Sequence, residues 1–224
     1  MRPTVQNVDI VVADSSNPAD MDALASKTRV VLTTVGPYVR YGDALVDACV
    51  RHGTHYCDIT GEVQWVRSII DRHHEAAAAK GVKIVSFCGF DSVPSDIGAL
   101  VVAEHFKTVI GHPPTRVKAV YGKLRGGVSG ATLESMRLFM KDANRVMRDP
   151  QFLNPADRRR AHEPADRVGM RFERDIGAWT IPFFMAACNT RVVRRSIALA
   201  GDTYSFDEMW SPRGGFFGAL LVRL

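Results

Sequence analysis

The chain has 224 residues, of which 46% are hydrophobic and 24% are charged, and this composition excludes a disordered, collagen-like or coiled-coil protein. No stretch approaches the roughly 18 consecutive apolar residues of a membrane-spanning helix, and the first residues lack the apolar region of a signal peptide, so we expect a cytoplasmic protein. The net charge of +5 is concentrated in residues 137–195, where 12 Arg and one Lys stand against seven acidic residues.

The charge and cysteine patterns exclude two further classes of function. The basic residues form no strand interleaved with aromatic residues and no recognition helix, so we do not expect a nucleic-acid partner. The four cysteines lack C-x-x-C spacing and a neighbouring ligand pattern, so we predict neither a disulfide framework nor a metal site.

Strands and helices alternate through residues 1–110. Apolar and β-branched runs predict strands at 8–12, 29–35, 55–60 and 82–88, and helical spacing predicts helices at 20–27, 41–52, 62–80 and 94–105. The run at 29–35 is almost uninterrupted, as in a strand that is buried on both faces. This alternation predicts a parallel sheet wrapped by helices on both faces, which is a doubly wound α/β domain.

Residues 111–224 have a different character. Alternating residues predict a half-exposed strand at 117–121, a glycine-rich turn follows at 126–130, and helical spacing covers 131–147. A further helix is predicted after Pro182, and a last strand at 203–209. We therefore predict part of an α+β domain in this half of the chain.

The glycines do not form the usual dinucleotide-binding motif. Such a domain begins with a strand, Gly-x-Gly-x-x-Gly and a helix, because the glycines let the backbone approach a pyrophosphate. The cluster Gly126-Gly127-Val128-Ser129-Gly130 has the wrong spacing and follows a strand of the second unit. It is a turn or, alternatively, a phosphate loop.

Ligands of doubly wound sheets bind beyond the carboxyl ends of the strands, so we expect a site at the strand-to-helix junctions. Four junctions are rich in glycine, proline, hydroxyl and carboxylate residues, namely 14–15, 35–38, 58–62 and 89–96. We expect them to line one cleft.

Three of these junctions resemble a known family. The segments VVLTTVGPY (30–38), GTHYCDITGE (53–62) and CGFDSVPSD (88–96), together with residues 187–196, resemble the saccharopine dehydrogenase-like oxidoreductases, and within them the mycobacterial trans-acting enoyl reductases. Members of this family are about twice as long and begin with a strand-Gly-x-x-Gly-x-x-Gly-helix unit. The resemblance therefore implies an incomplete Rossmann-like domain over 1–110, without its first β-α-β unit, and part of an α+β substrate and dimerisation domain over 111–224.

The resemblance also implies a reaction and its partners. Trans-acting enoyl reductases supply a reduction that a partner polyketide synthase does not perform, in the assembly of phthiocerol dimycocerosate and phenolic glycolipid. NADPH or NADH would deliver hydride to the β-carbon of an enoyl thioester, and the enolate that results needs a proton donor or a positioned dipole. We expect an acyl lipid substrate, and the resemblance leaves an oligomer open.

Cofactor contacts follow from the resemblance at two junctions. Near the adenine it implies Asp14 and Ser15, with helix capping as the alternative role of Asp14. Near the nicotinamide it implies Thr34, Val35 and the Gly36-Pro37 turn, with a purely structural turn as the alternative.

Catalytic and substrate residues are expected at the same edge. Tyr38 is our candidate for the proton donor, with Tyr41 as the alternative, and Asp91 is the second catalytic candidate. The substrate candidates are Asp58, Glu62, Ser92 and Ser95. Each of these four residues is also a candidate for capping the helix that follows it.

A second class of function stays open, a lipid-surface or partner-binding protein that keeps the fold without catalysis. Arg191, Arg194 and Arg195 have helical spacing and share one face. This face is a solvated surface or, alternatively, a contact for an acyl-carrier phosphopantetheine or for an anionic membrane at which the protein is peripherally bound.

Overall fold

The computed structural model describes residues 8–123, 137, 146–212, 215, 218 and 219. Among them, the helices are α1 (Pro18–Ala25), α2 (Tyr38–Tyr41), α3 (Asp43–His52), α4 (Val63–Ala79), α5 (Val93–Ile110) and α6 (Ala186–Ala200). The strands are β1 (Val30–Thr33), β2 (His55–Asp58), β3 (Ile84–Val85), β4 (Arg116–Tyr121), β5 (Arg171–Glu173), β6 (Ala178–Pro182) and β7 (Ser205–Trp210).

Local chemistry sets two helix ends in the first half, whereas the helix predicted at 94–105 extends to Ile110. The side chain of Asn17 accepts the backbone N–H of Ala19 at 3.1 Å, and Pro18 occupies the first position of α1. Gly53 follows α3 with φ of 74°, a left-handed conformation that glycine adopts without steric penalty.

The first sheet is parallel and has the strand order β1-β2-β3. Val30 pairs with His55, and Tyr56 pairs with Ile84. The two crossovers run in the same direction along the sheet, and since such crossovers are right-handed, α3 and α4 pack on the same face. This arrangement is one half of a doubly wound sheet. The predicted α/β class with a parallel sheet is confirmed.

Burial in β1 corrects one expectation from the sequence. Val31 and Thr33 are buried, whereas Val30 and Leu32 are 52% and 66% exposed. The prediction that this run is buried on both faces is therefore wrong for the described residues, because α1, α3 and α4 cover one face only.

The strand predicted at 8–12 is also wrong. These residues form no strand, and Ile10 and Val12 are 90% and 95% exposed. Their β-branched side chains favour extended backbone, but a strand also needs a hydrogen-bonded neighbour. No strand among the described residues lies beside them.

The second sheet is mixed and has the order β4-β7-β6-β5. β4 and β7 are parallel, and β6 is antiparallel to both β7 and β5. Helices α5 and α6 cover one face of it, where Ala99, Val193 and Ile197 pack against Val117 and Phe206. The strand predicted at 203–209 and the helix predicted after Pro182 are confirmed. The predicted turn at 126–130 and most of the helix predicted at 131–147 lie outside the described residues.

The cores of the two halves are joined. The core cluster of the first sheet takes in Phe152, Leu153, Cys188 and Val192 from the second half of the chain. The domain boundary near residue 110 stays a prediction. Within the described ranges, no helix is both long enough and apolar enough to cross a bilayer.

Candidate functional site

The junction between β1 and α2 forms one end of the site. Thr34 and Val35 are exposed, the Gly36-Pro37 peptide is cis, and Tyr38 is buried. The Tyr38 hydroxyl donates to the carbonyl of Thr33 at 3.1 Å and accepts the backbone N–H of Ile59 at 3.4 Å. Burial raises the pKa of Tyr38 to about 12. This hydroxyl therefore joins the ends of β1 and β2, and its role as proton donor stays a prediction.

Glu62 stabilises the same junction through hydrogen bonds to its backbone. Its side chain is buried, and its two carboxylate oxygens accept the backbone N–H groups of Tyr38 at 3.0 Å and Val39 at 2.8 Å. These are the unpaired N–H groups at the start of α2, so Glu62 caps that helix from 23 and 24 residues away.

Asp58 ties the carboxyl end of β2 to that of β3. It is fully buried and accepts three hydrogen bonds, from the N–H of Thr60 at 3.0 Å, the N–H of Phe87 at 3.2 Å and the hydroxyl of Ser86 at 3.0 Å. Burial raises the pKa of Asp58, although the donors around it act in the opposite direction. These bonds hold the edge of the sheet in shape.

Asp14 and Ser15 precede α1. The Asp14 carboxylate is exposed and accepts the N–H and the hydroxyl of Ser16 at 2.8 and 2.7 Å, which lowers the pKa of Asp14. Its backbone N–H donates to Asp20 at 2.9 Å. These contacts are all local, so the structure does not join Asp14 by hydrogen bonds to the other junctions.

The junction between β3 and α5 carries the largest polar cluster of the described site. Asp91 is exposed, and the hydroxyls of Ser92 and Ser95 are buried. Ser92 donates to the side-chain oxygen of Asn189 at 2.8 Å, and Ser95 donates to Glu208 at 2.5 Å. The structure thus brings both predicted serines against side chains from the second half of the chain.

Sequence reasoning missed Tyr121, Asn189 and Glu208, which complete this cluster. The Tyr121 hydroxyl lies 2.7 Å from the Ser95 hydroxyl, and Asn189 donates to Glu208 at 3.0 Å. A signal was available for Glu208. It follows Phe206 by two residues in a predicted strand, and the period of two places it on the same buried face.

The arginines of α6 do not form a surface, and the interpretation of a solvated or phosphate-binding face is wrong for two of them. The side chains of Arg191 and Arg194 are fully buried. Arg191 binds Asp166, and Arg194 binds Asp166 at 2.6 Å and Glu163 at 3.0 Å. They are core ion pairs, because the residues before α6 fold over this helix. The predicted loop Gly126–Gly130 lies outside the described residues.

The described residues fit one end of a dinucleotide. Val35, Ile59 and Phe90 follow neighbouring strands and are 52%, 43% and 86% exposed, which gives an apolar surface suited to the face of a nicotinamide ring. None of the described helices begins with Gly-x-Gly-x-x-Gly, the sequence that usually holds a pyrophosphate.

Comparison with known families agrees with this geometry. Residues 4–85 match the family described as the saccharopine dehydrogenase NADP binding domain. The match covers α1 to β3 and includes the first three of the four predicted junctions. The resemblance predicted from the junctions is confirmed.

Individual relatives narrow the class further. The chain is 40% identical over 228 residues to a trans-acting enoyl reductase of Mycobacterium leprae, covering 93% of this chain and 53% of the relative. It is 39% identical over 223 residues to one of Mycobacterium ulcerans, with 93% and 53% covered, and 38% identical over 227 residues to one of Mycobacterium tuberculosis, with 93% and 54% covered. The chain spans about half the length of these relatives. No solved structure matches it significantly.

Proposed function

We propose that this chain is an NADPH-dependent oxidoreductase that reduces the carbon–carbon double bond of an enoyl thioester. The observation that carries the proposal is the coincidence of an NADP-binding family match with similarity to relatives named trans-acting enoyl reductases. The exposed apolar edge and the adjoining polar cluster are compatible with such a reaction, since one can receive a nicotinamide and the other a thioester.

The cofactor residues in this proposal lie at the first two junctions. Thr34, Val35 and the Gly36-Pro37 turn border the nicotinamide, and Asp14 with Ser15 borders the adenine. When bound, the reduced nicotinamide supplies a hydride to the β-carbon. The family match names NADP, so we favour NADPH over NADH.

The substrate side of the proposal uses the fourth junction, residues 89–96. Asp91 is exposed at the edge, and Ser92 and Ser95 lie directly behind it. The polar atoms of Asp58 and Glu62 are engaged by backbone N–H groups, so we propose that these two carboxylates fix the shape of the substrate edge.

The substrate source in this proposal is a separate synthase that carries the growing acyl chain. The word trans-acting in the relatives' names supports a reductase that works on another protein's intermediate. An acyl lipid product, as in polyketide-derived lipids, is part of the same proposal.

A fluorescence titration with NADPH tests the proposal. The chain and the Mycobacterium leprae relative are expected to bind NADPH more tightly than NADH. Val35→Glu is expected to weaken binding, because it places a charge against the ring. Val109→Glu is the matched control, since Val109 is 64% exposed on α5, away from this edge. Failure of the chain to bind NADPH when the relative binds it, or unchanged binding by Val35→Glu, would contradict the proposal.

A second candidate function, docking to an anionic lipid surface, is favoured by the β5–β6 hairpin. Phe172 and Trp179 face each other with ring centroids 5.6 Å apart, and Phe172 and Ile176 are 49% and 43% exposed. The two acidic residues of the hairpin are held in ion pairs, whereas Arg171 and Arg174 have none among the described residues. Apolar side chains flanked by unpaired cations suit an interfacial contact.

Vesicle sedimentation tests this second candidate. The chain is expected to bind phosphatidylglycerol-containing vesicles more strongly than phosphatidylcholine vesicles. Replacing Arg171 and Arg174 with Gln is expected to weaken binding about 30-fold, from about 1 kcal/mol for each basic residue near the surface. The control replaces Lys27 and Arg29, which are exposed on the first unit. An equal loss of vesicle binding in both double variants would contradict a specific role of the hairpin in lipid binding.

A further inference from the structure

Glu208 is a buried carboxyl group on a strand face that also carries apolar core residues. It lies on the face of β7 that packs against α5 and α6, and 2% of it is exposed. Phe206 on the same strand and Val117 on β4 share this face and belong to an apolar core cluster. Burying a carboxyl group among such residues costs several kcal/mol unless hydrogen bonds offset it, so its presence calls for a specific role.

Three side chains form a continuous hydrogen-bonded chain that starts at Glu208. The Ser95 hydroxyl donates to Oε1 of Glu208 at 2.5 Å, and the Tyr121 hydroxyl lies 2.7 Å from the same serine oxygen. Asn189 also donates to Oε1, at 3.0 Å, and its position is fixed by Ser92. Oε2 of Glu208 is buried and has no hydrogen-bond partner among the described residues. The hydrogen bonds from Ser95 and Asn189 therefore converge on Oε1, and the nearby Tyr121 hydroxyl also acts on this carboxyl.

The donor and acceptor roles in this series of hydrogen bonds depend on whether Glu208 is protonated. When the carboxyl is ionised, Ser95 donates to Glu208 and Tyr121 donates to Ser95. When the carboxyl is protonated, every bond can reverse, and the Tyr121 hydroxyl proton is then free to point away from Ser95. A serine hydroxyl both donates and accepts, so it can connect the two ends in either state.

Burial of Glu208 acts toward its protonated state, whereas the hydrogen bonds from Ser95 and Asn189 act in the opposite direction. Burial raises the pKa of Glu208 and of Tyr121. The titratable groups that interact with Glu208 and Tyr121 are Asp91 before α5 and Cys188 on α6, and Arg191 on α6 acts on Cys188. When Asp91 is ionised, its negative charge raises the pKa of Tyr121 further.

Tyr121 is also placed toward the carboxyl edge of the first sheet. Its ring stacks on Phe183 with centroids 4.1 Å apart, and Phe183 lies two residues before Met185. A Cβ on Gly61 would lie 3.6 Å from the Met185 side chain, so this segment contacts the junction after β2. Tyr121 is half-buried, whereas Ser95 and Glu208 are enclosed. The hydrogen-bonded series from Tyr121 to Glu208 thus has one accessible end and one buried end.

We propose that Tyr121, Ser95 and Glu208 form a proton relay, in which Tyr121, rather than Tyr38, is the catalytic acid that protonates the α-carbon of the substrate. This inference rests on the proposed function, in which the reduced nicotinamide supplies the hydride. The Tyr121 proton forms the new α-carbon–hydrogen bond, Ser95 returns a proton to the Tyr121 oxygen, and Glu208 returns one to Ser95. Glu208 ends as a carboxylate, and before the next turnover a solvent proton reaches it through Tyr121, the accessible end, and Ser95. Ser95 and Glu208 are positioning and relay residues.

Steady-state reduction of an enoyl thioester by NADPH tests the relay with three variants. Tyr121→Phe keeps the ring stack and is expected to lower kcat about 100-fold, the lower end of the range for general acid catalysis, with KM unchanged. Ser95→Ala interrupts the relay between intact ends. Glu208→Gln keeps the acceptor oxygen and the shape of the side chain but removes the proton. Tyr204→Phe, a buried tyrosine outside the cluster, is the control and is expected to keep the wild-type kcat.

The pH profile separates a relay from a structural role. Wild-type kcat is expected to fall as pH rises through the pKa of Glu208, because the protonated carboxyl is the donating form. In Glu208→Gln this limb is expected to disappear and kcat to be low at all pH values. A purely structural carboxyl predicts that Glu208→Gln keeps both rate and profile.

A second readout does not require turnover. The infrared C=O band of protonated Glu208 is expected to vanish in Glu208→Gln and to shift in Ser95→Ala. If the wild type reduces the thioester and Tyr121→Phe does so with a similar kcat, the relay is wrong and the proposed function is unaffected. Absence of reduction by the wild type would overturn the proposed function and, with it, this assignment.

Discussion

Replacing Arg194 with methionine is expected to destabilise the protein by about 3 to 5 kcal/mol, because it removes a buried cation that two carboxylates share. The guanidinium group is fully buried and lies 3.0 Å from Glu163 and 2.6 Å from Asp166. The Glu163 side chain is itself 1% exposed, and burial raises its pKa. After the substitution, Glu163 keeps one ion pair, with Arg160, and Asp166 keeps one, with Arg191.

The size of the effect distinguishes a core ion pair from a ligand-binding arginine. Thermal unfolding followed by circular dichroism is expected to show a fall in Tm of about 6 to 20 °C, from about 2 to 4 °C per kcal/mol in a chain of this size. Arg174→Met is the control, since Arg174 is exposed. Adding Glu163→Gln to Arg194→Met is expected to recover part of the loss, because it removes one of the two carboxylate charges that lose this cation.

One result would refute this reasoning. If Arg194→Met unfolded within about 0.5 kcal/mol of Arg174→Met, the range of ordinary surface substitutions, the ion pairs would not be part of the core. A loss of affinity for an acyl-carrier phosphate without loss of stability would then restore the interpretation of α6 as a phosphate-binding face.

Two further predictions concern a close contact and a titrating ion pair. Gly42→Ala is expected to destabilise the fold by about 1 to 3 kcal/mol, because the new Cβ would lie 2.5 Å from the ring of Trp65 and 2.8 Å from a backbone carbonyl. The control is Gly98→Ala in α5, where a Cβ meets nothing within 4 Å. Equal urea midpoints of the two variants would contradict the close contact at Gly42. Glu173 has a pKa lowered to about 2 by Arg167 and Lys118, so its carboxylate stabilises the fold above its unfolded value near 4.5, and this contribution disappears as pH falls toward 2. The stability gap between wild type and Glu173→Gln in urea is therefore expected to be larger at pH 7 than at pH 3, and a gap independent of pH would contradict the ion-pair assignment.

Local chemistry predicted much of the first unit. Caps at Asn17 and Gly53 have side-chain or backbone causes that are visible in the sequence, and the alternation of strands with helices was sufficient for the α/β class. The strand at 8–12 could not be judged in this way. Its β-branched residues specify extended backbone, whereas a neighbouring strand is a property of the whole fold.

The candidate site was also predictable in its local features but not in its long-range contacts. The junctions were recognisable because glycine, proline and carboxylate residues cluster after strands, but the partners of Ser92 and Ser95 lie about 100 residues away. Arg191 and Arg194 carry a spacing that also suits a solvated face. Their burial depends on residues before α6 that fold over it, which helical periodicity does not reveal.

Product analysis in D₂O tests the proposed function most directly. The chain is mixed with NADPH and an enoyl thioester, and the product is analysed by mass spectrometry. The expected product is the saturated thioester, formed in equal amount to the NADPH consumed, with one deuterium at the α-carbon from solvent and protium at the β-carbon from the cofactor. An unchanged thioester under conditions in which the Mycobacterium leprae relative reduces it would contradict the proposed function of this chain.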